Sequence, residues 1–161
     1  MDLVRRQLRT YARQYERIRL RTRASNERTA RMESLFQKMR ALAVASYPLL
    51  GELVASPLPG DRLAAVSILQ VFADEGSLDF LVELVGAEKP FVGYQAALAL
   101  RFAVSALDSP GQSQLATQLQ RAQALLAKTA AGFDSDRQTE LRMAVEDLRI
   151  AMVPLLLAPH P

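Results

Sequence analysis

Ten arginines crowd the first 31 residues: Arg5, Arg6, Arg9, Arg13, Arg17, Arg19, Arg21, Arg23, Arg28 and Arg31. A guanidinium is planar and presents a bidentate fork matched to carboxylate or phosphate. Such density points to recognition of an anion rather than to bond-making. Three uses fit it: a solvated helix flank, a pairing surface for an acidic protein partner or for the chain's own acidic part, and neutralisation of nucleic-acid phosphates. Groups suited to catalysis are sparse. The single histidine, His160, stands one residue from the C-terminal end, whereas a general base must be held in place by its surroundings. Serine nucleophiles need such a base. The chain has no G-x-S-x-G, no G-x-x-x-x-G-K and no H-E-x-x-H, the spacings that build nucleophile elbows, phosphate loops and zinc sites. With no cysteine, disulfides and thiolate metal or redox sites are excluded. The carboxylate pairs Asp74/Glu75, Asp134/Asp136 and Glu146/Asp147 fall at helix ends or on polar faces, and capping and the helix dipole account for Asp134 and Asp136. The expectation is a non-enzymatic chain with no catalytic residue, no cofactor and no metal.

The elements that must position these arginines are helices. Half the 161 residues are hydrophobic, and that content is carried by Ala and Leu rather than by aromatics or β-branched residues, which favours helix-on-helix packing. The first ~45 residues lack Gly and Pro. Val4, Leu8, Tyr11, Tyr15, Ile18, Thr22, Ser25, Thr29, Met32, Phe36 and Met39 recur at alternating spacings of four and three, a heptad seam of the kind that faces a partner helix. Thr22, Ser25 and Thr29 interrupt its apolar character, so a break near Ala24–Asn26, a polar layer or an idle stretch are all compatible with it. One long helix over 2–46, bent or interrupted there, is the preferred reading. Ser25 as a cap lacks the Glu or Gln three residues on that a capping box uses.

From Tyr47 onward Pro48, the SPLPGD string at 56–61, EGS at 75–77, EKP at 88–90, DSPG at 108–111 and GFDSD at 132–136 punctuate the chain. They predict helices at 47–56, 61–74, 77–87, 90–107, 111–131 and 135–153. Pro90 suits a first helical position, Pro110 follows Ser109 as cap, and Ser135 with Gln138 opens the last helix. The tail containing Pro154 is expected to fray. Residues 1–40 carry 12 Lys/Arg against 4 Asp/Glu, a balance of +8, and residues 41–161 carry 8 against 13, a balance of −5. The predicted organisation is a basic helical or coiled-coil arm at 1–46, two hairpins at 47–107 and a C-terminal hairpin with tail at 108–161. No run of ~18 apolar residues and no signal-peptide stretch appears, so neither a membrane span nor export is expected and the default location is cytoplasmic.

Residues 50–72 overlay 81–103 at a shift of 31. Leu50/Leu81, Glu52/Glu83, Leu53/Leu84, Val54/Val85, Pro59/Pro90, Ala65/Ala96 and Leu69/Leu100 coincide. Each copy reads as a short helix, a Pro-bearing turn and a second helix with Ala and Leu on one face. A third copy near 125–150 requires an insertion. The R-x-A-A-x-x-x-L helix at Arg62–Leu69, with Leu81 and Leu84 in the following helix, resembles HEAT-type α-repeats over residues ~47–105, though copies of 31 residues are shorter than that family's unit. The resemblance implies an all-α, right-handed array of hairpins serving as a protein-interaction scaffold. The string EKPFVGYQAALAL also resembles helical adaptor modules found beside effectors in bacterial conflict and signalling systems, which implies an accessory role in defence or signalling.

The candidate partner-binding residues are Arg5, Arg9, Tyr11, Arg13, Tyr15, Arg17 and Ile18 on the arm, with Phe91 and Tyr94 either an exposed anchor at the repeat edge or part of the core. The expected partner is a protein, or a second copy paired through the N-terminal helix. Nucleic acid is the alternative; against it, the tyrosines fall on the seam rather than on the arginine face. Gly93 inside a helix costs about 1 kcal/mol against Ala, which predicts a closely packed neighbour. Arg62 and Arg101 are expected to pair with Glu83 or Glu52 on the surface.

Overall fold

The computed structural model describes residues 1–128 and 135–156, and every regular element among them is helical. The chain divides into two compact units, Met1–Val71 and Phe72–Pro161.

The first unit contains α1 (Asp2–Arg21), α2 (Asn26–Ala41), α3 (Ala43–Ser46), a 3-10 turn at Tyr47–Leu49, α4 (Leu50–Val54) and α5 (Pro59–Leu69). Of the readings open for 2–46, an interruption close to Ala24–Asn26 is the one formed, and the single unbroken helix is not. Thr22 (φ −117°, ψ 133°) and Ser25 (φ −164°, ψ 161°) are extended, and the Ser25 hydroxyl accepts the Arg28 backbone N–H at 3.1 Å. The cause is the seam's own defect. Thr22, Ser25 and Thr29 have little apolar surface to bury, and Ser and Thr compete for backbone hydrogen bonds outside helices. Folding back instead buries Leu8, Ala12 and Tyr15 of α1 together with Met32, Leu35, Phe36 and Met39 of α2, and both helices pack on α5 as well as on each other. Helical segments gain most of their stability from such packing rather than from propensity. Arg28, which breaks the capping-box pattern, sends its Nη2 to the Arg19 carbonyl at 3.1 Å. It thereby satisfies an orphan acceptor in the last turn of α1.

The seam is therefore consumed inside the unit: Phe36 and Met39 are fully buried. The arm at 1–46 is not a free coiled-coil strand, and pairing with a second copy through these residues would require opening the unit.

Helix α5 is the centre of this unit. Leu63 through Leu69 are buried without a gap, the signature of a helix surrounded on all sides; each large aliphatic side chain there contributes about 1.5–3 kcal/mol of burial. It starts two residues earlier than expected, with Pro59 in the first turn where a missing N–H costs nothing. Leu58, at the cap position, offers no side-chain acceptor. Glu16 of α1 supplies one: its Oε1 accepts the Gly60 N–H at 3.1 Å. Gly60 must be glycine, because a Cβ there would stand 2.6 Å from the Ala12 carbonyl oxygen.

The second unit contains a 3-10 turn at Glu75–Ser77, then α6 (Leu78–Ala87), α7 (Pro90–Ala106), α8 (Ser109–Lys128) and α9 (Ser135–Leu156). Helix α7 packs on α6 and α9, and α8 on the same two. The small residues Ala96, Ala97, Ala99 and Ala103 of α7 are buried and let neighbouring helices approach. Asp108, not Ser109, caps α8, with its Oδ1 accepting the Gly111 N–H at 3.0 Å. The Ser135 side chain, Asp134, the GFD of the last turn and His160 lie outside the described residues, as does the Pro154 side chain.

The two copies of the 31-residue pattern, α4–α5 and α6–α7, fall in different units. Most matched positions nevertheless share an environment, although Val54 is half-buried where Val85 is fully buried. Leu50/Leu81, Leu53/Leu84, Ala65/Ala96 and Leu69/Leu100 are buried, and Pro59 and Pro90 each open a helix. Glu52 and Glu83 are exposed and each meets an arginine, Arg5 and Arg9 in one unit and Arg121 in the other.

Candidate functional site

The arginines of the first unit sort by what stands opposite them. Arg5 Nη1 lies 2.8 Å from Glu52 Oε2, and Arg9 Nη2 lies 3.2 Å from Glu52 Oε1. Two of the residues expected to meet a partner are thus paired with the unit's own carboxylate. Tyr15 is 1% exposed, so its expected partner contact is corrected: the seam position that recommended it places it in the core. Tyr11 is half-buried, and its hydroxyl accepts from Gln7 Nε2 at 2.9 Å. Arg13 is exposed. Phe91 and Tyr94, the separate candidate at the repeat edge, are both half-buried and stand on α7 of the second unit.

Arg17 and Ile18 line a cleft of about 440 Å³ between α1 and α2. Helix α1 contributes Gln14, Arg17, Ile18 and Arg21, with Thr22 just beyond its end; α2 contributes Arg31, Ser34, Leu35 and Lys38. Both sets have the spacing i, i+3, i+4, i+7, one face of a helix over two turns. The α1–α2 turn brings the two faces together. Four cations therefore share one concave surface that no carboxylate lines. Among the described residues Arg17, Arg21, Arg31 and Lys38 make no ion pair or side-chain hydrogen bond. Like charges four apart on a helix, as at Arg17 and Arg21, cost a few tenths of a kcal/mol. A cleft lined by one sign of charge concentrates counter-ions and speeds their capture. The clustered cations repel one another, and the arrangement is suited to receiving an anionic ligand.

Sequence reading had Arg17, Arg21 and Arg31 among the ten arginines but missed Lys38, Gln14 and Ser34. The available signal was the repeated i, i+3, i+4, i+7 spacing on either side of Thr22–Ser25.

The other polar contacts are structural. In the second unit Arg101 meets Asp147 at 2.9 Å and Glu140 at 3.1 Å, rather than Glu83 or Glu52. Their hydrogen bonds, Asp147's first, raise its already high pKa. Arg62 donates to the Pro57 carbonyl at 3.0 Å. The Arg149 hydrogen bond, and then its charge, hold the exposed Glu146 carboxyl below its ordinary range. Arg121 pairs with Asp79. Arg137, at 1% exposure, is the most unusual cation of the chain. Its Nη1 donates to the Val85 carbonyl at 2.6 Å and its Nη2 to the Glu88 carbonyl at 2.8 Å, which closes the C-terminus of α6. Arg137 also accounts for Gly93, since a Cβ there would lie 2.5 Å from Nη1.

Among the described residues no group of three or more His, Asp or Glu is placed to hold a metal ion, and no helix is long and apolar enough to cross a membrane. No protein-family model matches the chain, and neither a curated protein nor a solved structure is significantly similar to it.

Proposed function

We propose that the chain is a non-enzymatic interaction module, an adaptor, that engages an acidic protein partner through the α1–α2 cleft. One observation carries this reading: four cations without internal partners converge on a single concave surface, while neighbouring Arg5 and Arg9 share the carboxylate of Glu52. The remaining helices serve as the scaffold that holds the hairpin, with the α4–α5 and α6–α7 hairpins as two HEAT-like units. Nucleic acid is the weaker reading. Strand-binding surfaces usually combine basic grooves with aromatic platforms, and no aromatic residue lines this cleft.

The test is fluorescence anisotropy with a labelled Glu-rich peptide at ~50 mM salt. The pair Arg17→Glu/Arg31→Glu is expected to weaken binding by more than about tenfold, and the control pair Arg6→Glu/Arg13→Glu, off the cleft, by no more than about threefold. Equal losses from the two pairs would show that bulk charge rather than the cleft is responsible.

A further inference from the structure

The walls of the cleft are not uniformly charged. Each stripe carries its aliphatic residue at the third place, Ile18 on α1 and Leu35 on α2, with a cation at the fourth place, Arg21 and Lys38. Arg17 and Arg31 add a second cation to each side. The pattern on each wall extends over eight residues, seven steps of 1.5 Å or about 10 Å, two helical turns.

An aliphatic line flanked by cations on both sides is complementary to a definite kind of ligand. A helix with an apolar stripe at i, i+3 or i+4, i+7 and glutamates on either flank would lay the stripe against the half-buried Ile18, above the buried Leu35 that closes the floor. Its carboxylates would then meet Arg17 and Arg21 on one side and Arg31 and Lys38 on the other. This is the logic by which flanking charges select partners in coiled coils and by which helices dock in grooves. An extended acidic segment alternates its side chains and cannot hold one apolar edge and two acidic edges in this register. A small-molecule pocket is predominantly apolar with few polar groups, the reverse of this lining.

We infer that the α1–α2 cleft receives an acidic amphipathic helix of a partner protein as a third helix beside the hairpin. This rests on the cleft being the binding face, and the experiment separates the two. Three labelled probes are titrated against the full chain: a 22-residue Leu/Glu peptide of amphipathic period, a scrambled peptide of the same composition, and a 20-nucleotide single strand. The amphipathic peptide is expected to bind at least about tenfold tighter than its scramble and to gain helix by circular dichroism on binding. Arg21→Glu/Lys38→Glu should remove that binding, and Ile18→Ser should reduce it while leaving the unbound protein's helix content unchanged. Equal affinity for the two peptides, lost in the charge-reversed variant, overturns the helical ligand and leaves the acidic-partner reading standing. Binding of the oligonucleotide alone, or of no probe, overturns both.

Discussion

Replacing Gly93 by Ala should destabilise the second unit, although helix propensity alone predicts the opposite. Gly93 lies inside α7, where Ala is favoured over Gly by about 1 kcal/mol. The added methyl would stand 2.5 Å from Arg137 Nη1 and 2.7 Å from Nε, so the guanidinium must move. An exposed arginine would swing aside at little cost. Arg137 is buried, and its Nη1 and Nη2 are committed to the Val85 and Glu88 carbonyls. Hydrogen bonds from a charged group are worth about 1.5–3 kcal/mol each, so losing both costs roughly 3–6 kcal/mol, and the propensity gain leaves a net loss of about 2–5 kcal/mol. Urea denaturation followed by circular dichroism measures this directly. The decisive comparison is the same substitution in an Arg137→Ala background, where the obstacle is gone and Gly93→Ala should gain up to about 1 kcal/mol. A variant as stable as the parent, or an identical effect in both backgrounds, would refute the argument that the arginine holds the glycine in place.

Two further outcomes test the packing and the electrostatics. Gly60→Ala, whose methyl would meet the rigid Ala12 backbone at 2.6 Å, should lower the urea midpoint, whereas Gly51→Ala, with open space around it, should leave the midpoint unchanged or raise it slightly. Because Arg149 lowers the Glu146 pKa, that pair's contribution is fully present above the ordinary glutamate range and is lost as pH falls through the Glu146 folded value. A carboxyl carbon NMR titration should give Glu146 a midpoint below ordinary glutamate, and Arg149→Gln should move it upward.

What the sequence made legible was local chemistry. Pro59 and Pro90 open helices because fixed φ and a missing N–H suit a first turn, and α6 and α7 fall within a residue of their expected bounds. What it hid depended on residues far apart in the chain. The regular spacing of Val4 to Met39 looks the same in one straight helix as in two helices folded together. Arg23 and Ala24 are good helix formers, and Ser25 is a cap whose usual companion is replaced by Arg28. The polar positions Thr22, Ser25 and Thr29 allow the break, and the gain from burying Tyr15, Phe36 and Met39 inside one unit decides for the hairpin. Arg137 was equally hidden: in a polar stretch it reads as a surface residue, and its burial follows from the carbonyls of Val85 and Glu88, some fifty residues earlier.

The same fold-back that removed the coiled-coil arm created the candidate site. On a straight helix, Arg17 and Arg21 would be separated from Arg31 and Lys38 along the axis by up to about 30 Å at 1.5 Å per residue, and no single ligand of modest size would meet all four. Turning the chain at Thr22–Ser25 sets the two stripes on facing walls. Had the charges been needed only for solubility, any exposed face would have served, and the outward Arg6 and Arg13 already provide one. Glu52 shows that the unit can place a carboxylate against arginines of α1, yet none stands in the cleft. The missing counter-charge is the property that a partner's carboxylates would supply. Binding that depends on them should weaken as salt screens the exposed cations.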